Sequence, residues 1–250
     1  MSKLLLNIVG FTHAGTSGKH NEDRILVQQK ILSDGQICIQ SVDVCRCFVA
    51  DGIGGNPLGE MAAQFVLEQI VEKFERSEVG DPPKMTKMLE NINSELLDLN
   101  SGQSHMNGSG TTLIGLIIEG EKFTLLHAGD SQAWLLRKSM FFKVIEDHVR
   151  LEFEQNSPLT NYFGGMSNVL FVDYETSLRS IQTGDLILLC SDGLFKSLPT
   201  QHVKTILMNN MPICERMRFL LNKVLETGAT DNVSSIVIEL THTDIDITRN

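Results

Sequence analysis

Cys47-Phe48-Val49-Ala50-Asp51-Gly52-Ile53-Gly54-Gly55 is an apolar run that stops on an aspartate and then breaks into glycines. The run reads as a buried strand. Beyond it, Ala62, Ala63, Val66, Leu67, Ile70 and Phe74 fall at three-and-four spacing, which predicts an amphipathic helix. The Asp51 carboxylate is thus delivered at a strand end, on backbone that glycine frees to bend tightly. A hard cation such as Mg²⁺ or Mn²⁺ takes oxygen ligands of this kind, a backbone carbonyl included. Asp-Gly is also a common turn dipeptide. Ser33-Asp34-Gly35-Gln36, between two strand-like runs, reads as a plain hairpin turn.

The rest of the chain repeats the Asp51 pattern. Leu186 to Cys190 is an apolar strand that ends in Ser191-Asp192-Gly193, and Leu125 to Ala128 ends in Gly129-Asp130-Ser131. Thr230-Asp231-Asn232 stands just before a last strand, and Asn21-Glu22-Asp23 just before the second. If these ends converge, five or six carboxylates share one cleft, and cations must neutralise them. An oxygen-rich set without sulfur favours Mg²⁺ or Mn²⁺ over Zn²⁺.

Composition bounds the function classes. The 250 residues, 42% of them hydrophobic, suit a sizeable core. A net charge of −10 disfavours nucleic acid, which wants a basic face. Five cysteines (Cys38, Cys45, Cys47, Cys190 and Cys214) form no Cys-x-x-Cys pair, and read as thiols in a reducing cytosol. No segment approaches the roughly 18 apolar residues of a membrane span, and Met1 to Phe11 reads as a first strand instead of a leader. The expected location is cytoplasmic.

Along the chain, strands are expected over 3–13, 24–32, 37–42 and 46–50, followed by two helices, the first with Pro57 near its start. Gly80-Asp81-Pro82-Pro83 separates the two helices. Strands follow over 111–118, 122–128, 133–137 and 141–145, then a short helix and loop over 147–168. Strands over 169–178 and 186–190, helices over 200–209 and 212–226, and a strand over 233–240 complete the pattern. The loop 14–23 resembles a phosphate loop only superficially, since no Ser or Thr follows Lys19. The order predicts an α+β fold, two stacked antiparallel sheets with helices outside. One domain over 1–242 with a short polar tail, 243–250, is expected.

Asn21-Glu22-Asp23, Asp51-Gly52-Ile53-Gly54-Gly55, Gly110-Thr111-Thr112, Gly129-Asp130-Ser131, Ser191-Asp192-Gly193 and Asp231-Asn232 occur in one order. That ordered set resembles the metal-dependent serine/threonine protein phosphatases of type 2C, in a compact, bacterial-like form, from about Gly10 to Leu240. The resemblance implies a four-layer α-β-β-α sandwich and a site for two Mn²⁺ or Mg²⁺ ions. It implies that Asp51 bridges both ions, that the Gly52 carbonyl holds one, and that Asp192 and Asp231 hold the other. Glu22 and Asp23 act through water, Asp23 orienting the attacking one, and Asp130 with Asp192 resembles a third, weaker metal site. Asp23 and Asp51 are the implied catalytic pair, and the implied substrate is a phosphoprotein, a Ser/Thr kinase or its targets.

The chain also departs from the family pattern. Gly18 stands where many relatives carry a phosphate-gripping arginine, which leaves Lys19 as the candidate substrate-binding charge. Gln132 replaces an arginine, and Ile53 a histidine of the animal branch. The segment 147–184 is shorter than the flap region of many bacterial members. These departures leave open an alternative, an inactive or weak phosphatase that binds phosphoproteins. His127 and His148 read as a packed and a surface histidine.

Overall fold

The computed structural model describes residues 3–55, 58–76, 82–102, 108–120, 122–150, 157–165, 173–175 and 181–243. The first half runs β1 (Lys3–His13), β2 (Arg24–Val27), β3 (Lys30–Leu32), β4 (Gly35–Val42), β5 (Val44–Ala50), β6 (Gly52–Ile53), α1 (Leu58–Arg76) and α2 (Pro82–Gly102). The middle holds β7 (Gly110–Thr111), β8 (Leu113–Glu119), β9 (Lys122–Ala128), β10 (Gln132–Arg137), β11 (Met140–Lys143) and β12 (Asp173–Glu175). The last part runs β13 (Leu186–Cys190), α3 (Gly193–Ser197), α4 (Thr200–Leu207), α5 (Ile213–Glu226) and β14 (Val233–Thr243).

Two six-stranded antiparallel sheets result, one ordered β11-β10-β13-β14-β1-β4 and the other β12-β9-β8-β5-β2-β3. Period-two alternation divides each strand between two cores. Cys47 and Val49 of β5, with Ile25 and Val27 of β2, enter the layer between the sheets, against Ile236, Ile238 and Leu6. Phe48, Ala50 and Leu26 point the other way, onto the Ala62, Val66, Leu67 and Ile70 face of α1 and onto Leu89 and Ile92 of α2. On the far side, Val9, Leu186 and Leu188 pack on Val203 of α4 and on Met217, Leu220 and Val224 of α5. The four-layer α-β-β-α sandwich is therefore present, with α1 and α2 outside one sheet and α4 and α5 outside the other.

Several local expectations change. The run 24–32 is two strands, not one, because Gln28 takes a left-handed turn at φ 61 and folds β3 back on β2. Ser33-Asp34 is not a hairpin. β3 is the edge of one sheet and β4 the edge of the other, so this turn carries the chain between layers. The run 111–118 is broken at Thr112 into β7 and β8. No helix forms in the described parts of 147–168, where bridges join Val149 to Leu159 and Thr111 to Phe163. Of the expected strand 169–178, Asp173–Glu175 is described and is β12. Pro57, Gly80-Asp81 and the tail from 244 lie outside the described residues.

The reading of all five cysteines as thiols is also corrected. Cys45, Cys47 and Cys190 are buried free thiols, but Cys38 of β4 and Cys214 of α5 form a disulfide, Cα–Cα 6.3 Å. Their separation of 176 residues offers no local spacing signal. No helix among the described residues is long and apolar enough to cross a membrane.

Candidate metal centre

Asp51 leaves the end of β5, and its backbone is held from both sides by the Gly110-Thr111-Thr112 segment. Its N–H donates to Thr112 Oγ1 at 3.1 Å, and its carbonyl accepts from Thr112 N–H at 2.9 Å and from Thr111 Oγ1 at 3.0 Å. Thr112 Oγ1 also lies 2.7 Å from Ser131 Oγ, beside Asp130. Two neutral hydroxyls thus fix the strand end.

Close backbone approach brings in the next groups. A Cβ on Gly52 would sit 2.4 Å from the Gly59 backbone and 2.7 Å from the Glu22 carbonyl. One on Gly59 would sit 2.2 Å from Glu22 Oε2. Only glycine at both positions lets β6 meet the start of α1 with the Glu22 carboxylate beside them. Asn232 fastens the same loop, accepting from Glu22 N–H at 2.8 Å and donating to the carbonyls of Ala14 and His20, each at 3.1 Å.

Asp23 is fully buried. Its Oδ2 accepts from Ser191 Oγ at 2.8 Å, while Oδ1 has no hydrogen-bond partner among the described residues. Burial pushes its carboxyl up to about 6, hydrogen bonds from Ser234 and Ser191 oppose that, and Asp192 and Asp231 add to it. Asp192 stands between β13 and α3. There a Cβ on Gly193 would meet the Asn232 carbonyl at 2.0 Å, so the two aspartate turns are stacked backbone to backbone.

The carboxylates do converge. The Asp51 carboxyl is held well above the usual range, first by burial and then by Asp23, Asp192, Asp130 and Asp231 together. Burial, then Asp192 and Asp147, push Asp130 up to about 6. Asp192 is raised too, by burial, with Lys196 opposing and Asp231 and Asp147 adding. Each cause is a cost of placing negative charges together away from water. A bound cation removes that cost, and the donors offered are all oxygen, so Mg²⁺ or Mn²⁺ fits this chemistry. Among the described residues, no three such side chains are drawn in to the spacing of a ready coordination shell.

Of the sequence-predicted residues, Glu22, Asp23, Asp51, Gly52, Asp130, Asp192 and Asp231 thus gather around these turns. Lys19 is exposed on the 14–23 loop, and among the described residues it makes no hydrogen bond or ion pair. Sequence reasoning missed Ser191, Asn232, Asp147 and Lys196. Ser191 and Asn232 stand next to candidate aspartates, but the pattern gives them no role of their own. Lys196 donates to Asp192 Oδ2 at 2.6 Å and Asp231 Oδ2 at 2.8 Å, and its spacing of four from Asp192 on a helix was the available signal. His127 is buried, as expected. His148 is not a plain surface residue. It is half-buried with its ring 4.4 Å from that of His127, its Nδ1 accepts from Gly129 N–H at 3.2 Å, and its backbone N–H donates to the Gly129 carbonyl at 2.8 Å.

The sequence pattern described as Protein phosphatase 2C matches residues 12–232. The serine/threonine phosphatase stp of Listeria monocytogenes serotype 4b is 25% identical over 245 residues, 91% of this chain and 93% of that protein. Among solved structures, the S. agalactiae serine/threonine phosphatase superposes with a TM-score of 0.79 at 19% identity, covering 94% of this chain and 99% of the other. The catalytic domain of the serine/threonine phosphatase PstP, solved in complex with two manganese ions, gives a TM-score of 0.76 at 23% identity, covering 96% and 100%.

Proposed function

Since the chain belongs to the protein phosphatase 2C family, we propose that it is a metal-dependent phosphatase that hydrolyses phosphoserine and phosphothreonine esters in proteins. The observation that supports this most is the Asp51 carboxylate, fixed at a strand end where four other aspartates act on it. In this reading Asp51, Gly52, Asp192 and Asp231 would hold two Mn²⁺ or Mg²⁺ ions. Glu22 and Asp23 would assist through water, and Asp130 with Asp192 would take a third, weaker ion. Bound ions of this kind lower the pKa of water toward neutrality and stabilise charge on phosphoryl oxygens.

The chain's own groups do the positioning. Ser191 occupies Asp23 Oδ2, which leaves the buried Oδ1 to accept a hydrogen bond from the attacking water. Thr111 and Thr112 keep Asp51 from shifting, and Asn232 keeps Glu22 beside Gly52. The water oxygen forms the new bond to phosphorus as the bond to the serine or threonine oxygen breaks, and the proton that the water gives up balances the one that the departing alcohol takes. Lys19 is the group assigned to meet the substrate phosphate. We read 1–242 as one catalytic domain acting in the cytoplasm, on a Ser/Thr kinase or the targets of one.

A second reading, a weakly active or inactive regulator that binds phosphoproteins, draws on Gly18 and on the Lys196 grip on Asp192 and Asp231. Peptides carrying phosphothreonine or phosphotyrosine, with and without Mn²⁺, separate the two. Mn²⁺-dependent release from phosphothreonine alone is the result expected of the phosphatase. Binding of the phosphothreonine peptide without release would support the regulator.

A further inference from the structure

Lys196 is the feature of this centre that the phosphatase reading leaves unused. Its Nζ lies 2.6 Å from Asp192 Oδ2 and 2.8 Å from Asp231 Oδ2, two oxygens that come from different turns of the chain. An ordinary helix-face ion pair would take only the i,i+4 partner. Here the ammonium bridges the end of β13 to the turn before β14. Its charge also acts on Asp130.

The backbone that carries Lys196 cannot shift easily. Gly193 is stacked against the Asn232 carbonyl, where a Cβ would sit at 2.0 Å. Leu194 is buried, and Phe195 packs on Trp134 with ring centroids 4.8 Å apart. The lysine stem is different. It is 53% exposed, so its head can swing into solvent while α3 stays in place.

We propose that Lys196 is a tethered counter-cation that competes with a divalent ion for Asp192 and Asp231 and so sets the metal concentration at which the centre fills. The inference rests on the metal-dependent reading above. An ion held by Asp192 and Asp231 would share both carboxylates with the ammonium, and two cations that close to the same pair of charges repel. The ion must therefore displace Lys196, and its affinity is lowered by whatever the two ion pairs are worth. At a half-exposed site that is about tenfold in Kd. The function would be a threshold: the chain keeps its own charge in place until Mn²⁺ or Mg²⁺ is plentiful.

The test is calorimetric titration of Mn²⁺ into the wild-type chain, Lys196→Met and Lys196→Arg, with thermal unfolding in chelator and in saturating Mn²⁺. Lys196→Met should bind the Mn²⁺ shared by Asp192 and Asp231 about tenfold more tightly, and Lys196→Arg, which keeps the charge, should stay near wild type. In chelator Lys196→Met should unfold at a lower temperature than wild type, and in Mn²⁺ it should not. A merely structural ion pair would lower the temperature in both. Equal or weaker Mn²⁺ binding by Lys196→Met overturns the inference alone. Absence of Mn²⁺ binding to all three proteins overturns it together with the metal-dependent reading.

Discussion

Ser191 Oγ donates to Asp23 Oδ2 at 2.8 Å across 168 residues of sequence, and both side chains are fully buried. The same hydroxyl accepts the Ser234 N–H at 3.0 Å, so one small group ties β13, β14 and the start of β2 at the edge of the centre. Ser191→Ala leaves a buried carboxylate and a buried N–H short of a partner. The expected cost is about 2–3 kcal/mol, read by urea unfolding. Phosphate release should fall as well, because Asp23 is no longer held in one orientation.

The aspartate cluster predicts an unusual pH response in chelator. Asp23 and Asp130 are pushed up to about 6, and Asp51 and Asp192 are raised. In the folded chain these groups keep protons that the unfolded chain releases above about 4. For Asp23 and Asp130 the contribution to stability is therefore full below about 4 and is lost as pH rises through about 6, and Asp51 and Asp192 act in the same direction. In chelator the protein should melt a few degrees higher at about pH 5 than at about pH 7.5. Mn²⁺ should shrink or reverse that difference, since it stabilises the charged carboxylates. Differential scanning calorimetry at the two pH values checks both statements.

Gly52 and Gly120 predict a contrast between glycines. Gly52→Ala places a Cβ 2.4 Å from Gly59 backbone, where no side chain can yield. It should cost about 2–3 kcal/mol and weaken Mn²⁺ binding by displacing Glu22. Gly120→Ala, at φ 60 with open space around it, should cost about 1 kcal/mol through its backbone alone and leave Mn²⁺ binding intact. Unfolding curves with and without Mn²⁺ separate the two effects.

Gly18 sits at φ 73, and a Cβ added there would have nothing within 4 Å of it, so a long side chain has room. Gly18→Arg should restore a bidentate phosphate grip and lower KM for a phosphothreonine peptide about fivefold, at a backbone cost of about 1 kcal/mol. Steady-state kinetics on the variant check this, and an unchanged KM would mean that the loop does not reach the substrate.

The centre is legible in the sequence wherever local pattern carries it. Asp51, Asp130 and Asp192 end apolar runs, Asp231 precedes one, and the helix faces of α1 and α5 repeat at three-and-four spacing. What stays hidden are relations between distant segments. Ser191 meets Asp23 because two sheets stack, Lys196 meets Asp231 because β13 and β14 pair within one sheet, and Cys38 meets Cys214 because α5 packs on the sheet that holds β4. No residue spacing encodes any of these. The turn at Gln28 is hidden for another reason, since a non-glycine residue in the left-handed region leaves little compositional trace. Ser33-Asp34 shows the converse. Its composition says turn, and turn it is, but composition cannot say which sheet the chain enters next.

If Asp51 and its neighbouring aspartates form a catalytic metal centre, neutralising Asp51 must stop phosphate release without unfolding the chain. The most direct measurement is ³¹P NMR of a phosphothreonine peptide in excess Mn²⁺ with the wild-type chain and with Asp51→Asn, each shown to be folded by circular dichroism. The account predicts inorganic phosphate from the wild type, none in chelator, and a loss of about a thousandfold or more in the variant. Undiminished release by folded Asp51→Asn would contradict it.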